Sequence, residues 1–299
     1  MSMSPVNQRS KARVIALDVG GMSVKSAVVA PEELVIGKPV TTPVDSTGDA
    51  QTILSTFVRV VAGHLHEVQP SDLLGVALGF PGPFDYAEGI CRIRGVEKYE
   101  SIYAVNIREA LQTRLGLVDL AILFRNDAEA AIAGEARYGA GRGYQRLIGV
   151  TLGTGCGSAF IVNGAPVTSG PGVPANGWLY PVLFHGRRAD DVFSRRGLEV
   201  RLRSGGATVA DVKEAAQAAR AGDAISRQVF EAFGADLGLF LDPLAMAFKA
   251  DAVLVLGQIA GAIDIFGPPL RRALSVPALR GERGADAALL GAADLLFNR

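Results

Sequence analysis

Residues 152–160 read Leu152-Gly153-Thr154-Gly155-Cys156-Gly157-Ser158-Ala159-Phe160. The apolar run 147–150 precedes this stretch and 159–162 resumes it just beyond, so the pattern is strand, glycine turn, strand. Glycine at alternate positions lets backbone N–H groups point at an anion with no Cβ in the way, and Thr154 and Ser158 can add hydroxyl donors. By itself the stretch reads equally well as an ordinary hairpin turn. An earlier stretch of the same kind raises the phosphate reading. Residues 14–17 form a short apolar run into Asp18-Val19-Gly20-Gly21-Met22-Ser23, and 24–30 is apolar again except for Lys25 and Ser26. Asp18, at the end of the first strand, is placed to hold a hydrated Mg²⁺, which prefers one or two carboxylates plus phosphate oxygens and water. Gly20 and Gly21 would admit a phosphate close to the backbone; the plain alternative is an Asp-x-Gly-Gly hairpin turn.

The 299 residues are enough for two ordinary domains or one large one, and 49% hydrophobic against 20% charged residues can bury a substantial core. Thirty basic and thirty acidic residues balance, which offers no electrostatic reason to bind nucleic acid or an anionic membrane. Cys91 and Cys156 make no metal-ligand or redox spacing, so a reduced cytoplasmic setting fits. The N-terminal residues 1–13 are polar, with no apolar segment and cleavage site after them, and no stretch approaches the roughly 18 uncharged apolar residues of a membrane helix. The expectation is a soluble protein that is not exported.

Apolar spacing predicts an amphipathic helix over 50–66, with His64 and His66 at its end. Two apart on a helix, they face different ways and read as surface residues rather than ligands. A strand over 73–80 runs into Pro81-Gly82-Pro83, a rigid turn able to present backbone to a ligand. A helix over 107–115 and a strand over 120–124 lead to Arg125-Asn126-Asp127 and an alanine-rich helix over 128–138. Asp127 therefore stands at a strand-to-helix junction, as an N-cap or as a general base at the carboxyl end of a strand. A loop over 164–181 holds Trp178, helices follow over 190–202, 207–221 and 226–248, the last interrupted by Pro243, and a strand over 251–256 ends in Gly257-Gln258. A helix over 284–297 closes the chain, which thus has two halves, each opening with paired strands around a glycine turn.

The order Asp18-x-Gly20-Gly21, Asn126-Asp127, Gly153-Thr154-Gly155-x-Gly157 resembles the actin-like ATPase superfamily, and more narrowly the ROK family of sugar kinases. Residues 126–135, Asn-Asp-Ala-Glu-Ala-Ala-Ile-Ala-Gly-Glu, are similar to that family's Asn-Asp-Ala-x-Ala-Ala-x-x-Gly-Glu, and the turn 79–83 and the closing helix match in type and position. The resemblance implies an α/β, two-lobed actin-like ATPase (ribonuclease H-like) fold with a cleft between an N-terminal lobe, 1–127, and a C-terminal lobe, 128–283. Residues 284–299 would return to the first lobe. It implies ATP and Mg²⁺, with Asp18 as the magnesium residue, directly or through water, and Gly20, Gly21, Ser23, Lys25, Gly153, Thr154, Gly155, Gly257 and Gln258 around the nucleotide. Asp127 would be the base that accepts the proton of a sugar hydroxyl, with Gly82, Pro83, Asn126, Asn176 and Asp190 also on the sugar. A homodimer is implied too.

The departures bear on the substrate. Where the family has Gly-Glu-x-Gly-His, with the Glu on sugar hydroxyls and the His on a structural zinc beside three cysteines, this chain aligns Asn176 and Leu179 and has no cysteine cluster. No zinc site is therefore expected. Asp190, four residues before Ser194, stands for a second sugar-binding Glu. Met22 replaces a threonine, and Gln258 the second glycine of a pair at the adenosine side, where a side chain would crowd the nucleoside. The leading expectation is an ATP- and Mg²⁺-dependent kinase of a hexose or hexose derivative, glucose first. The alternative is a catalytically weak sugar-binding or sensing protein of the same fold. A repressor is disfavoured, because 17 residues before Asp18 are too few for a DNA-binding module.

Overall fold

Each glycine turn closes an antiparallel hairpin. In the computed structural model, which describes residues 11–31, 34–209 and 211–298, β1 (Arg13–Val19) pairs with β2 (Ser23–Ala30) from Val14↔Val29 to Val19↔Val24. Most of the polar N-terminal stretch, residues 1–10, lies outside the described residues. The chain divides into two units: residues up to 134 together with those from 285 on, and residues 135–284.

In the first unit β2 continues antiparallel to β3 (Leu34–Pro43). After α1 (Ala50–Leu65), β4 (Leu73–Phe80) joins β1 in parallel. The small hairpin β5 (Phe84–Asp85) and β6 (Ile90–Cys91) and then α2 (Ile107–Leu115) intervene before β7 (Ile122–Asn126), which is parallel to β4. The order is β3-β2-β1-β4-β7. Alternation along β1 explains why almost the whole strand is apolar. Ile15, Leu17 and Val19 share one cluster with Ile53, Phe57 and Val61 of α1 and Leu111 of α2. Val14 and Ala16, equally buried, face the other way, and the C-terminal helix Asp286–Phe297 packs on the same sheet. A strand covered on both faces has no polar side.

Past β7 the chain enters α3 (Asp127–Tyr138), whose first two turns belong to the first unit. Here it meets the C-terminal helix at backbone distance: a Cβ on Gly134 would collide with the carbonyl oxygen of Ala287, and one on Gly291 with that of Ala130. The glycine of the Asn-Asp-Ala-x-Ala-Ala-x-x-Gly-Glu stretch thus marks a helix crossing. The following Glu135 is fully buried and accepts from the N–H groups of Ala140 (3.1 Å) and Arg283 (2.5 Å), tying two loops of the second unit together.

The second unit repeats the plan. β8 (Arg146–Leu152), β9 (Cys156–Val162) and β10 (Ala165–Val167) form an antiparallel meander. After them come a two-stranded ribbon, β11 (Leu183–Phe184) and β12 (Arg187–Arg188), and the helices α4 (Ala189–Phe193), α5 (Arg195–Ser204), α6 (Val212–Arg220) and α7 (Ala224–Phe248). β13 (Ala252–Leu256) then adds in parallel to β8, and past α8 (Ile263–Ala273) β14 (Ala278–Arg280) adds to β13. The order β10-β9-β8-β13-β14 is that of the first sheet, three antiparallel strands then two parallel ones. Phe160, Phe193, Phe233, Phe240 and Phe266 fill the core between sheet and helices.

Four local expectations change. The long helix is not interrupted at Pro243: α7 runs unbroken from Ala224 to Phe248 through it. The helix predicted over 190–202 is two, because Ser194 leaves helical geometry (φ −80°, ψ 171°) and caps α5. The helix predicted from 207 starts at Val212, where Asp211 accepts from the N–H groups of Lys213 and Glu214. His64 is not a surface residue: it is buried, with Nε2 at 2.8 Å from Ser26 Oγ and Nδ1 at 3.0 Å from Glu67 Oε1, while His66 is exposed. Tertiary contact with β2, invisible to helix periodicity, decides between the two.

Candidate active site

The parallel strands β1, β4 and β7 all end at one edge of the first sheet, and the site residues of this unit lie along it. Asp18 is the last residue but one of β1, with Lys25 of β2 opposite on one side and Gly79 of β4 on the other. Gly79 is where the next layer approaches: its Cβ position is 3.7 Å from Asp127 Cα and 3.4 Å from Ala130 Cβ. A Cβ there would already be in van der Waals contact with both, so a side chain reaching beyond Cβ would press on α3 at Asp127. Phe80 stands opposite Asn126 in register, and the exposed turn with Gly82 and Pro83 follows.

Asn126 is the residue that caps α3. Its Oδ1 accepts from the N–H groups of Ala128 (3.1 Å) and Glu129 (3.2 Å), while its Nδ2 donates to Tyr86 Oη (3.0 Å), which donates in turn to Phe80 O (3.1 Å). Asp127 Oδ1 also accepts from Ala128 N–H (2.8 Å). Capping alone therefore does not account for Asp127. Burial pushes its carboxyl up, against the pull of that N–H and of Lys98. Asp18 is pushed up to about 6, first by burial and then by the charge of Asp127, with Lys25 opposing. A buried carboxylate whose ionisation a second carboxylate disfavours is a place where a divalent cation is welcome.

The first glycine turn is oriented by residues far away in sequence. Gly20 N–H donates to Ser23 O (3.0 Å), closing the turn, while Tyr99 Oη donates to Gly20 O and Ser46 Oγ to Gly21 O, both at 2.5 Å. In a trans peptide N–H and C=O point in opposite directions. Anchoring these two carbonyls inward turns the N–H groups of Gly21 and Met22 outward, and neither has a protein acceptor among the described residues. Met22 at the tip is 86% exposed. The result is a two-donor anion cradle beside Asp18.

In the second unit the corresponding edge carries Gly153, Thr154 and Gly155 after β8 and Gly257 and Gln258 after β13. Gly153 N–H donates to Gly155 O (3.1 Å), and Gly153 O accepts from Arg195 N–H (2.7 Å). Gly257 has φ 90°, and a Cβ there would run into the backbone of Leu152, so only glycine lets the two strand ends touch. Beside them a cavity of about 340 Å³ is lined by Gly153, Arg195, Lys213, Gln217, Arg220 and Gln258, among others. Asp190 buttresses the turn: Oδ1 accepts from Cys156 N–H (2.9 Å) and Oδ2 lies 3.3 Å from Arg196. Asn176 is exposed in a left-handed conformation (φ 58°). Its loop is tied to β9 through Ser158, whose Oγ donates to Gly177 O and accepts from Leu179 N–H. Leu179 is fully buried in the apolar core.

Lys98, Tyr99, Ser46 and Tyr86 escaped the sequence reading. None belongs to a glycine turn or a periodic element: Tyr99 and Ser46 are revealed by their bonds to glycine carbonyls, Tyr86 by its bond with Asn126, and Lys98 by its stem beside Gly21.

The ROK family profile matches residues 14–296. A glucokinase of Thermotoga maritima is 26% identical over 97% of this chain and 98% of its own length. A polyphosphate glucokinase of Mycobacterium leprae is 33% identical over 52% of this chain and 45% of its own. The crystal structure of a ROK family glucokinase from Streptomyces griseus in complex with glucose and AMPPNP superposes with a TM-score of 0.73 at 24% identity, covering 95% of this chain and 99% of that one. The α/β actin-like ATPase fold expected from the resemblance is the fold of this chain, which belongs to the ROK family.

Proposed function

We propose that this ROK-family chain is a sugar kinase that transfers a phosphoryl group from ATP to a hydroxyl of a hexose or hexose derivative, glucose first. The observation that carries the reading is the alignment of Asp18, Gly79 and Asp127 along one sheet edge beside a turn whose N–H groups face outward. Phosphoryl transfer needs positioning and charge stabilisation more than covalent chemistry, and a base, a magnesium carboxylate and anion-binding turns meet that need. Full-length relatives named glucokinase support the sugar class.

Asp127 accepts the proton of the attacking hydroxyl; burial raises its affinity for a proton, as a general base requires. Asn126 and Tyr86 fix the strand end from which Asp127 projects, and Gly82 and Pro83 border the same site. The N–H groups of Gly21 and Met22 receive phosphate oxygens, with Ser23 and Lys25 at the base of that turn. Mg²⁺ at Asp18 would neutralise phosphate charge. The turn Gly153–Gly155 receives phosphate on the second unit, and the cavity lined by Arg195, Lys213 and Gln258 takes the nucleoside. Asn176 and Asp190 are assigned to the sugar, Asp190 with one oxygen already committed to Cys156 N–H. No described helix is long and apolar enough to cross a membrane, and a cytoplasmic homodimer without nucleic-acid partners belongs to the same proposal.

Purified protein, Mg²⁺, ATP and a panel of sugars test the reading through sugar-dependent ADP release, with polyphosphate as a second donor. Silence across the panel with both donors counts against a kinase. Asp127→Asn should lower kcat by about 10³-fold while sugar still binds, as measured by calorimetry; full activity sinks the assigned role. A second reading, a sugar-binding protein with little turnover, draws on the exposed Met22 at the tip of the phosphate turn. It predicts sugar binding without ADP release.

A further inference from the structure

Lys98 lies in the loop between β6 and α2. Its neighbours Glu97 (φ 54°) and Tyr99 (φ 57°) both take left-handed backbone, which is strained for a non-glycine residue and persists where surrounding contacts over-determine it. Those contacts are present. Glu100 Oε1 accepts from the N–H groups of Val96 (3.0 Å) and Glu97 (3.1 Å), Tyr99 N–H donates to Ser46 O (2.6 Å), and the Tyr99 ring is buried against Phe57 and Phe80. Because Tyr99 Oη also holds Gly20 O, this loop and the first phosphate turn are one piece.

The Lys98 stem passes over that turn, with Cδ 3.7 Å from the Cβ position of Gly21. Its charge acts on Asp127, yet among the described residues no carboxylate lies within ion-pair distance of the ammonium. A lysine that merely balanced Asp127 would contact it. This one makes no such contact: its stem lies over the anion cradle and its charge is felt at the base.

We propose that Lys98 is a catalytic residue, the cation that contacts the phosphoryl group as it leaves the Gly20–Gly21 turn for the hydroxyl activated by Asp127. The inference rests on the kinase reading. The new bond joins the acceptor oxygen to the γ-phosphorus, and the bond to the bridging oxygen breaks with its electron pair leaving on ADP. The hydroxyl proton goes to Asp127, and Lys98 stays protonated throughout, facing the equatorial oxygens.

The test compares Lys98→Met, Lys98→Gln and Lys98→Arg in the full chain, with melting temperatures to show that each is folded. With a sugar that the wild type phosphorylates, loss of the charge lowers kcat about a hundredfold while both KM values stay close to wild type, and arginine restores part of the rate. Unchanged kcat overturns the proposal. So does a raised sugar KM with kcat intact, which would assign Lys98 to an anionic group of the acceptor. A second measurement reads Lys98 even without turnover: calorimetric binding of Mg-ADP with aluminium fluoride, which mimics the phosphoryl in flight. Lys98→Met weakens it at least about tenfold with Mg-ADP binding unchanged; equal effects on both, or none on either, overturn the role. A wild type silent on every sugar refutes the kinase reading instead.

Discussion

Asp18 carries the sharpest conflict between fold and function at the level of single residues. Its carboxyl is pushed up from 3.8 to about 6, so between those values the folded chain holds a proton that the unfolded chain has released. That stabilising contribution is complete below pH 3.8 and is lost as pH rises through 6; at neutral pH the ionised group is a burden. Asp18→Asn is therefore expected to raise the melting temperature at pH 8 by a few degrees, on the order of 1–2 kcal/mol after allowing for partial exposure, and to change it little at pH 4. Kinase activity should vanish in the same variant. A lower melting temperature at pH 8 would mean that Asp18 is structural. Tyr99 makes the opposite case, a residue with no chemistry of its own. Tyr99→Phe frees Gly20 O and lets the turn reorient, so KM for the phosphoryl donor should rise about tenfold, with a loss of about 1 kcal/mol in stability. An unchanged donor KM would show that the turn orients itself. Asp18 was legible because it ends an apolar run before two glycines. Tyr99 was not, because a hydrogen bond spanning 79 residues leaves no local mark.

Among the elements, α3 combines the most duties: its first residue is the proposed base and its second turn is a helix crossing. Gly134→Ala places a methyl group against the Ala287 carbonyl, so the crossing must open, costing on the order of 1–3 kcal/mol. Thermal melts should show it, and a wild-type melting temperature would mean that the C-terminal helix yields at no cost. Since α3 also packs over Gly79, the displacement should reach Asp127 and lower kcat as well. The helix was readable from its alanine-rich run, and its glycine looked like a family signature rather than a steric requirement. Elsewhere capping overrode periodicity: Ser194 split one predicted helix, and Asp211 delayed another. Side-chain hydrogen bonds to the first N–H groups of a helix outweigh a continuous apolar stripe at its ends.

At the scale of the whole molecule, two sheets with the same strand order each offer a glycine turn after the first strand of a hairpin, which is why a single motif read twice exposed the plan. The altered loop after the second turn has consequences there too. Leu179, at the position of the family's zinc-binding histidine, is part of the second unit's apolar core, and among the described residues no three His, Cys, Asp or Glu side chains converge. Elemental analysis of purified protein should find no stoichiometric zinc, and one zinc per chain would overturn that expectation. Sequence alone determined the two glycine hairpins, the strands at 73–80, 120–124 and 251–256 and the glycine and carboxylate positions at strand ends, because apolar runs and turn chemistry are written within a few residues; the edge strands β3 and β14 and the parallel pairing were not legible. Only the tertiary structure decided that Asn126 rather than Asp127 carries most of the cap, that His64 is buried against Ser26, and that Ser46, Lys98 and Tyr99 converge on the first turn. These are non-local contacts made by irregular loops, where no periodicity constrains which residues meet and packing alone selects them.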